Sequence, residues 1–191
     1  MKADFMNIDL NSNEGKVKRF ISSIADLRSP EDDRDWVAET ILPNKLNLPK
    51  TLDYRKQLRP VRDQGQQGSC SAHVASCMKE WQEYTDIKSE DVLSPQFVYN
   101  LRENTESSGM YPRNTMEILR KQGICREIYC RYGDLKEPTI LAKEQAKKFV
   151  IEGYARVKSV DGLKESLYKN GPCYITVPVY SYNGQIWKQT S

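Results

Sequence analysis

What the sequence lacks narrows its class before any motif is considered. No run approaches the roughly 18 consecutive apolar residues that a membrane-spanning helix requires. The opening stretch MKADFMNIDLNSNEGK has no apolar h-region of a secretory signal, so the chain reads as cytoplasmic or otherwise intracellular unless a leader was trimmed. Its 29 Lys and Arg against 26 Asp and Glu give a net charge of +3 with no Lys/Arg block, which leaves nucleic acid and acidic lipid without a footing. There is no internal repeat and no low-complexity tract. The five cysteines, Cys70, Cys77, Cys125, Cys130 and Cys173, are odd in number and irregular in spacing. They argue for reduced thiols rather than a disulfide framework, with a Cys125–Cys130 bridge left open. Histidine is scarcest of all: His73 is the single one in 191 residues.

What is present belongs to an ordinary globular chain, 38% hydrophobic and 29% charged, long enough for one sizeable core or two small lobes. Residues 1–45 stand apart as an N-terminal extension. They hold a polar start and an amphipathic helix around 16–28, in which Val17, Phe20, Ile21, Ile24 and Leu27 share a face. The run PEDDRDW and the pair Leu42-Pro43 then break the pattern. From LPKTLDYRKQ onward, residues 46–191 read as one domain, helical first and strand-rich last. Ser69 is expected to cap a helix running to about Thr85, with Val74, Cys77, Met78, Trp81 and Tyr84 as its inner stripe. Ser94-Pro95 opens a second helix, and Asn114 with Glu117 forms a capping box for a third that Gly123 stops. Asp161 is expected to cap a last helix ending at Gly171-Pro172. FVIEGYARVKS and CYITVPVY alternate and are rich in β-branched and aromatic residues, so both read as strands. The fold class is α+β.

The chemistry concentrates in DQGQQGSCSAHVAS, Asp63 to Ser76. A thiolate needs a positive surrounding, and a helix N-terminus supplies unpaired N–H groups and the positive end of the macrodipole. Cys70 sits at such a start, behind Gly65 and Gly68, which let the loop turn tightly. Gln64 carries a carboxamide that, with the Cys70 N–H, could stabilise a developing oxyanion, each donor worth roughly 2.7–4 kcal/mol of barrier. A metal reading competes, since Cys70, His73 and Cys77 share a helical face, but no fourth ligand is evident. No metal and no cofactor are expected.

PVRDQGQQGSCSAHVAS resembles the active-site segment of papain-like cysteine proteases, a Q-G-x-x-G-S-C pattern leading into a long helix. LPKTLDYRKQ resembles the start of the mature enzymes, LSPQFVYN their second helix, and SSGMYPRNTMEILRKQGIC their glycine-tyrosine-proline stretch and third helix. GLKESLYKNGPCYITVPVY resembles their late helix and first barrel strands, so the likeness spans about 47–191. It implies a two-lobe fold: a helical lobe carrying the nucleophile, and the beginning of a β-barrel lobe. It implies a zymogen-type thiol protease acting on a peptide or protein substrate through a thioester. Cys70 would be the nucleophile and Gln64 the oxyanion-hole amide. Gly109 and Met110 would lie where the family's glycines pair with substrate backbone, while Pro112 and Thr176 would line the adjoining pocket.

This chain departs from the family at several points. Ser71 stands where a tryptophan is usual and His73 where a phenylalanine is usual. Gln67 replaces a disulfide cysteine, and Ser107 lies near the missing partner. The pattern is closer to the bacterial and large-DNA-virus branches. By the family's spacing, the catalytic histidine is expected at roughly 200–220, beyond Ser191, and its asparagine later still. His73 is not expected to replace it, because a side chain on the nucleophile's own helix leans toward that helix's N-terminus rather than sitting across the cleft. The domain is therefore expected to be incomplete at its C-terminus and inactive alone. The alternative is a non-catalytic relative that binds peptides or regulates. Residues 1–45 occupy the place of a short propeptide, and the exposed strand edges of a partial barrel make self-association an expectation.

Overall fold

The computed structural model describes residues 29–42 and 46–177. The amphipathic helix expected around 16–28, and the end of CYITVPVY, lie outside those residues. Six helices lie among the described residues, in order: α1 (Ala38–Ile41), α2 (Cys70–Ile87), α3 (Pro95–Asn100), α4 (Pro112–Lys121), α5 (Ile140–Ala146) and α6 (Val160–Asn170). Short 3₁₀ turns occupy Arg55–Gln57, Glu127–Tyr129 and Lys147–Phe149.

The 18-residue α2 is the spine, with α3 and α4 packed on it. Its buried face is not the expected one. Ser71, Ala72, Ala75, Ser76, Lys79 and Glu80 are buried, whereas Val74, Cys77, Met78, Trp81 and Tyr84 are only half-buried. Small side chains let neighbouring helices approach, and the bulk comes from Leu93, Phe97, Val98, Met110 and Ile124, each fully buried. Lys79 and Glu80 are buried because they are paired, Lys79 with Glu83 at 2.7 Å and Glu80 with Arg62 at 3.0 Å. The apolar stripe faces the other side. There Trp81 meets Tyr54 edge-on at 5.2 Å, and its indole crowds Gly171 so closely that a Cβ there would lie 2.1 Å from the ring.

The caps show which local signals hold. Ser94 accepts from Phe97 N–H at 3.0 Å with Pro95 in the first turn, as expected. Helix α4 starts two residues before Asn114, at Pro112, and its expected capping box does not form. Asn114 Oδ1 instead accepts from Glu103 N–H at 3.1 Å, and Glu117 binds Arg120, Lys121 and the Tyr154 hydroxyl. Gly123 does end the helix region. Its φ is +79° and its N–H reaches Ile118 O at 3.0 Å. Ser159 rather than Asp161 caps α6, accepting from Gly162 N–H at 2.9 Å, while Asp161 pairs with Lys164.

FVIEGYARVKS is not a strand. Its first residues close the 3₁₀ turn Lys147–Phe149, which buries Phe149, and the rest is extended with a single parallel bridge from Arg156 to Val37. Alternation makes a strand only where a second chain segment offers a ladder, and here the neighbour offers one rung. Residues 171–177 are likewise extended without assigned pairing. Among the described residues the architecture is thus the helical lobe of the two-lobe α+β fold, followed by the extended beginning of the second.

The segment 29–42 is strapped across this lobe. Arg113, in the first turn of α4, grips Asp35 with Nε at 3.0 Å and Nη2 at 2.6 Å, and donates from Nη2 to Pro30 O as well. Arg156 reaches Asp35 at 3.0 Å. Farther along, Glu39 Oε1 accepts from the N–H groups of Lys158 and Ser159 and from the Ser159 hydroxyl at 2.8–2.9 Å.

Candidate active site

Cys70 is the first residue of α2 and is half-buried, neither sealed in the core nor fully open. Its flanking serines are buried and tied in place. Ser69 occupies the N-cap position but makes no side-chain cap, contrary to expectation. Its hydroxyl is instead 2.7 Å from the Tyr132 hydroxyl. Ser71 Oγ lies 2.7 Å from the Tyr174 hydroxyl, which joins the C-terminal extended segment to the first turn of α2.

The loop before Cys70 folds by its own polar groups. Gly65 takes φ +56°, with its N–H on Asp63 Oδ1 at 2.8 Å. The Gln64 carboxamide donates from Nε2 to Gln67 O at 2.9 Å, so it lies over the loop that leads to the thiol. Gln67 O also accepts from Ser69 N–H at 2.8 Å. Gln67 Nε2 reaches the fully buried Gln96 Oε1 at 3.2 Å, and Gly133 N–H reaches the same oxygen at 2.9 Å. Where the family resemblance implies a disulfide cysteine, this chain therefore anchors the loop by an amide pair.

Two residues upstream of Gln64, Arg62 fixes the loop to the spine. It donates to Leu93 O at 2.9 Å, Ser76 Oγ at 2.9 Å and Glu80 Oε1 at 3.0 Å. Burial pushes the Glu80 carboxyl above its ordinary value, with Arg62 and the Leu93 N–H pulling the other way.

The single histidine is engaged locally. His73 Nδ1 lies 3.0 Å from Ser69 O, and since a carbonyl only accepts, Nδ1 carries the proton. The ring meets Tyr132 edge-on at 4.9 Å, and burial lowers its pKa below the usual imidazole value. The imidazole is thus neutral and packed on its own helix. The remaining cysteines are free thiols held protonated by burial: Cys77, Cys130 and Cys173 are shifted up, and Cys125 is pushed to about 12. Among the described residues no three His, Cys, Asp or Glu side chains converge as metal ligands.

The expected substrate-side residues fall on two segments. Gly109, φ +85° and buried, leads through Met110 into Pro112 at the start of α4. Met110 is 0% exposed, with Sδ 4.0 Å from Thr115 Oγ1, so any part it has in a cleft belongs to its backbone. Gly109 O accepts from Asn104 Nδ2 at 3.0 Å. Thr176 is exposed near the end of the described chain, two residues past Tyr174. Sequence reasoning missed Tyr132 and Arg62. Neither carries a local signal, because the roles are contacts made across 68 and 18 residues.

The comparisons with known proteins point one way. The profile of the papain family cysteine proteases matches residues 48–190. A cathepsin L-like proteinase from Phaedon cochleariae is 29% identical over 153 residues, covering 75% of this chain and 47% of that protein. The fold matches xylellain, a cysteine protease from Xylella fastidiosa, with TM-score 0.60 and 25% identity over 76% of this chain and 62% of that one. It also matches digestive procathepsin L 3 of Tenebrio molitor larval midgut with TM-score 0.60 and 18% identity, over 81% of this chain and 50% of that one. The chain thus spans about half the length of the curated relative it matches. By its helical lobe, its loop-to-helix cysteine and the match over 48–190, the chain belongs to the papain family of cysteine proteases.

Proposed function

We propose that this chain carries the nucleophile side of a cysteine endopeptidase. The Cys70 sulfur attacks the scissile carbonyl carbon, the amine leaves, and the resulting thioester is hydrolysed by water. The Gln64 carboxamide and the Cys70 backbone N–H donate to the oxyanion of each tetrahedral intermediate. One observation carries this reading: a half-buried cysteine opens an 18-residue helix, and the carboxamide six residues upstream is folded over the same loop. The first-turn N–H groups favour negative charge on that sulfur. Gly109, Pro112 and Thr176 form the substrate side, with Met110 contributing backbone alone.

The proton relay is a separate matter. His73 gives its Nδ1 proton to Ser69 O and sits on the nucleophile's own helix. The imidazole that takes the thiol proton and protonates the leaving amine is not among these 191 residues, which hold no other histidine. The chain alone is expected to turn over peptides slowly, because each missing proton-transfer role costs about 10²–10⁴-fold. Robust hydrolysis of a fluorogenic peptide by this chain, lost in Cys70→Ala, would overturn that assignment. An epoxysuccinyl-leucyl amide tests the nucleophile, since the sulfur opens the epoxide carbon–oxygen bond and the freed oxygen takes a proton. Capture at Cys70 faster than by free cysteine supports the enzyme reading. Capture no faster favours a peptide-binding relative without chemistry, which the engaged His73 also fits. Residues 1–45 are proposed as a short propeptide; a new N-terminus near Leu46–Leu48 after incubation of the active protein supports this, and an intact start refutes it.

A further inference from the structure

We infer that Tyr132 is a positioning residue for the nucleophile loop, acting through Gln64 and Ser69 rather than on substrate. This rests on the reading of Cys70 and Gln64 above. The Tyr132 hydroxyl donates to Gln64 O at 2.8 Å and lies 2.7 Å from Ser69 Oγ. Having given its one proton to Gln64 O, it accepts from the Ser69 hydroxyl. A single oxygen therefore ties together the two ends of the turn 64–69: the residue that bears the oxyanion amide and the residue before the nucleophile. The tyrosine is itself fixed. Its N–H donates to Glu127 Oε1 at 2.7 Å, and its ring stands against His73 at 4.9 Å. Its neighbour Gly133 donates to Gln96 Oε1, the same atom that receives Gln67 Nε2. Tyr132 thus holds the loop at 64 and 69, while Gly133 and Gln67 meet at the shared acceptor Gln96 Oε1. No disulfide joins the loop to the lobe, since none of the five cysteines forms one.

Remove the hydroxyl and the loop keeps its Gln64–Gln67 and Ser69–Gln67 bonds but loses the tie between its ends. A lost hydroxyl bond corresponds to roughly a fivefold change in an opening equilibrium. In Tyr132→Phe of the full chain, deuterium uptake over 64–70 should therefore rise by about fivefold, with uptake in α3 and α4 near wild type and the unfolding midpoint lowered by only about 2–4 °C. Ser69→Ala, which removes the other partner, should raise uptake over the same residues. The second readout is the rate of Cys70 capture by the epoxysuccinyl-leucyl amide. Tyr132→Phe should slow it, and by clearly less in a Gln64→Ala background, because part of what the tyrosine positions is the Gln64 carboxamide, the rest being exerted through the backbone at 64 and through Ser69. Unchanged loop uptake, or slowing that adds fully to that of Gln64→Ala, overturns the inference. So does uptake rising across the whole lobe with a midpoint lowered well beyond about 4 °C, which marks a general structural role. Wild-type capture no faster than that of free cysteine would instead sink the enzyme reading, while loop uptake still decides whether Tyr132 orders the loop.

Discussion

Replacing Arg62 by alanine should damage this molecule more at neutral pH than in acid. Glu80 is the reason. Its side chain is 2% exposed, its Oε1 accepts from Leu93 N–H and Arg62, and its Oε2 is buried without a partner. Breaking a buried ion pair from one side costs roughly 3–5 kcal/mol, because the remaining charge stays buried and uncompensated. Arg62 is 28% exposed, so the lower end applies, about 3 kcal/mol at pH 7.5. For a chain of this size that is a fall in Tm of roughly 6–12 °C. The pH dependence follows from the direction of the Glu80 shift. A carboxyl whose folded pKa lies above its unfolded value of about 4.5 binds its proton more readily in the folded state, so its contribution to stability falls as pH rises through that range. Without Arg62, burial is opposed only by the Leu93 N–H and the Arg59 charge, and Glu80 protonates at still higher pH. The penalty for Arg62→Ala should therefore shrink steadily from pH 7.5 to pH 5, as the uncompensated charge is neutralised. Urea unfolding followed by circular dichroism at both pH values measures it. A loss below about 1 kcal/mol, or one identical at the two pH values, would refute the reasoning.

Two further outcomes follow from particular contacts. Gly123→Ala should cost at least about 2 kcal/mol, because φ +79° strains an L-residue and the added Cβ would sit 2.0 Å from Ala146 O; a midpoint within 2 °C of wild type contradicts this. Acid should loosen the strap 29–42. Burial alone would raise the Glu39 pKa, but the Glu39, Lys158 and Ser159 N–H groups and the Ser159 hydroxyl outweigh it, leaving the value lowered. The grip is then fully present above the ordinary 4.5 and is lost as pH falls through the lower folded value, so cleavage within 29–42 by pepsin should accelerate sharply there and less steeply in Glu39→Gln.

Much of the helical lobe was legible because its boundary signals are local. Ser94-Pro95 fixes a helix start with a hydroxyl acceptor and a preset φ, and Gly123 supplies a positive φ that few residues tolerate. Where two residues of similar chemistry competed, the sequence misled. Ser159 outranks Asp161, and Pro112 opens its helix before Asn114 can cap it. The spine helix misled most. Its apolar stripe looked like the core face, but close helix contact selects the small residues Ala72, Ala75 and Ser76, and the paired Glu80 follows them inside. FVIEGYARVKS has strand periodicity without a ladder to join. The site divides the same way. Cys70 and Gln64 are read from one contiguous motif, whereas Tyr132 and Arg62 become visible only when the chain has folded back on itself.

The claim on which the rest depends is that the start of α2 activates Cys70 and no other thiol. Iodoacetamide at pH 7, with each of the five cysteines followed by peptide mass spectrometry in the native chain, tests it most directly. Cys70 should be alkylated first, faster than free cysteine and at least about tenfold faster than Cys77, Cys125, Cys130 and Cys173, whose protons burial retains. Alkylation of Cys70 at or below the rate of those four would contradict the account.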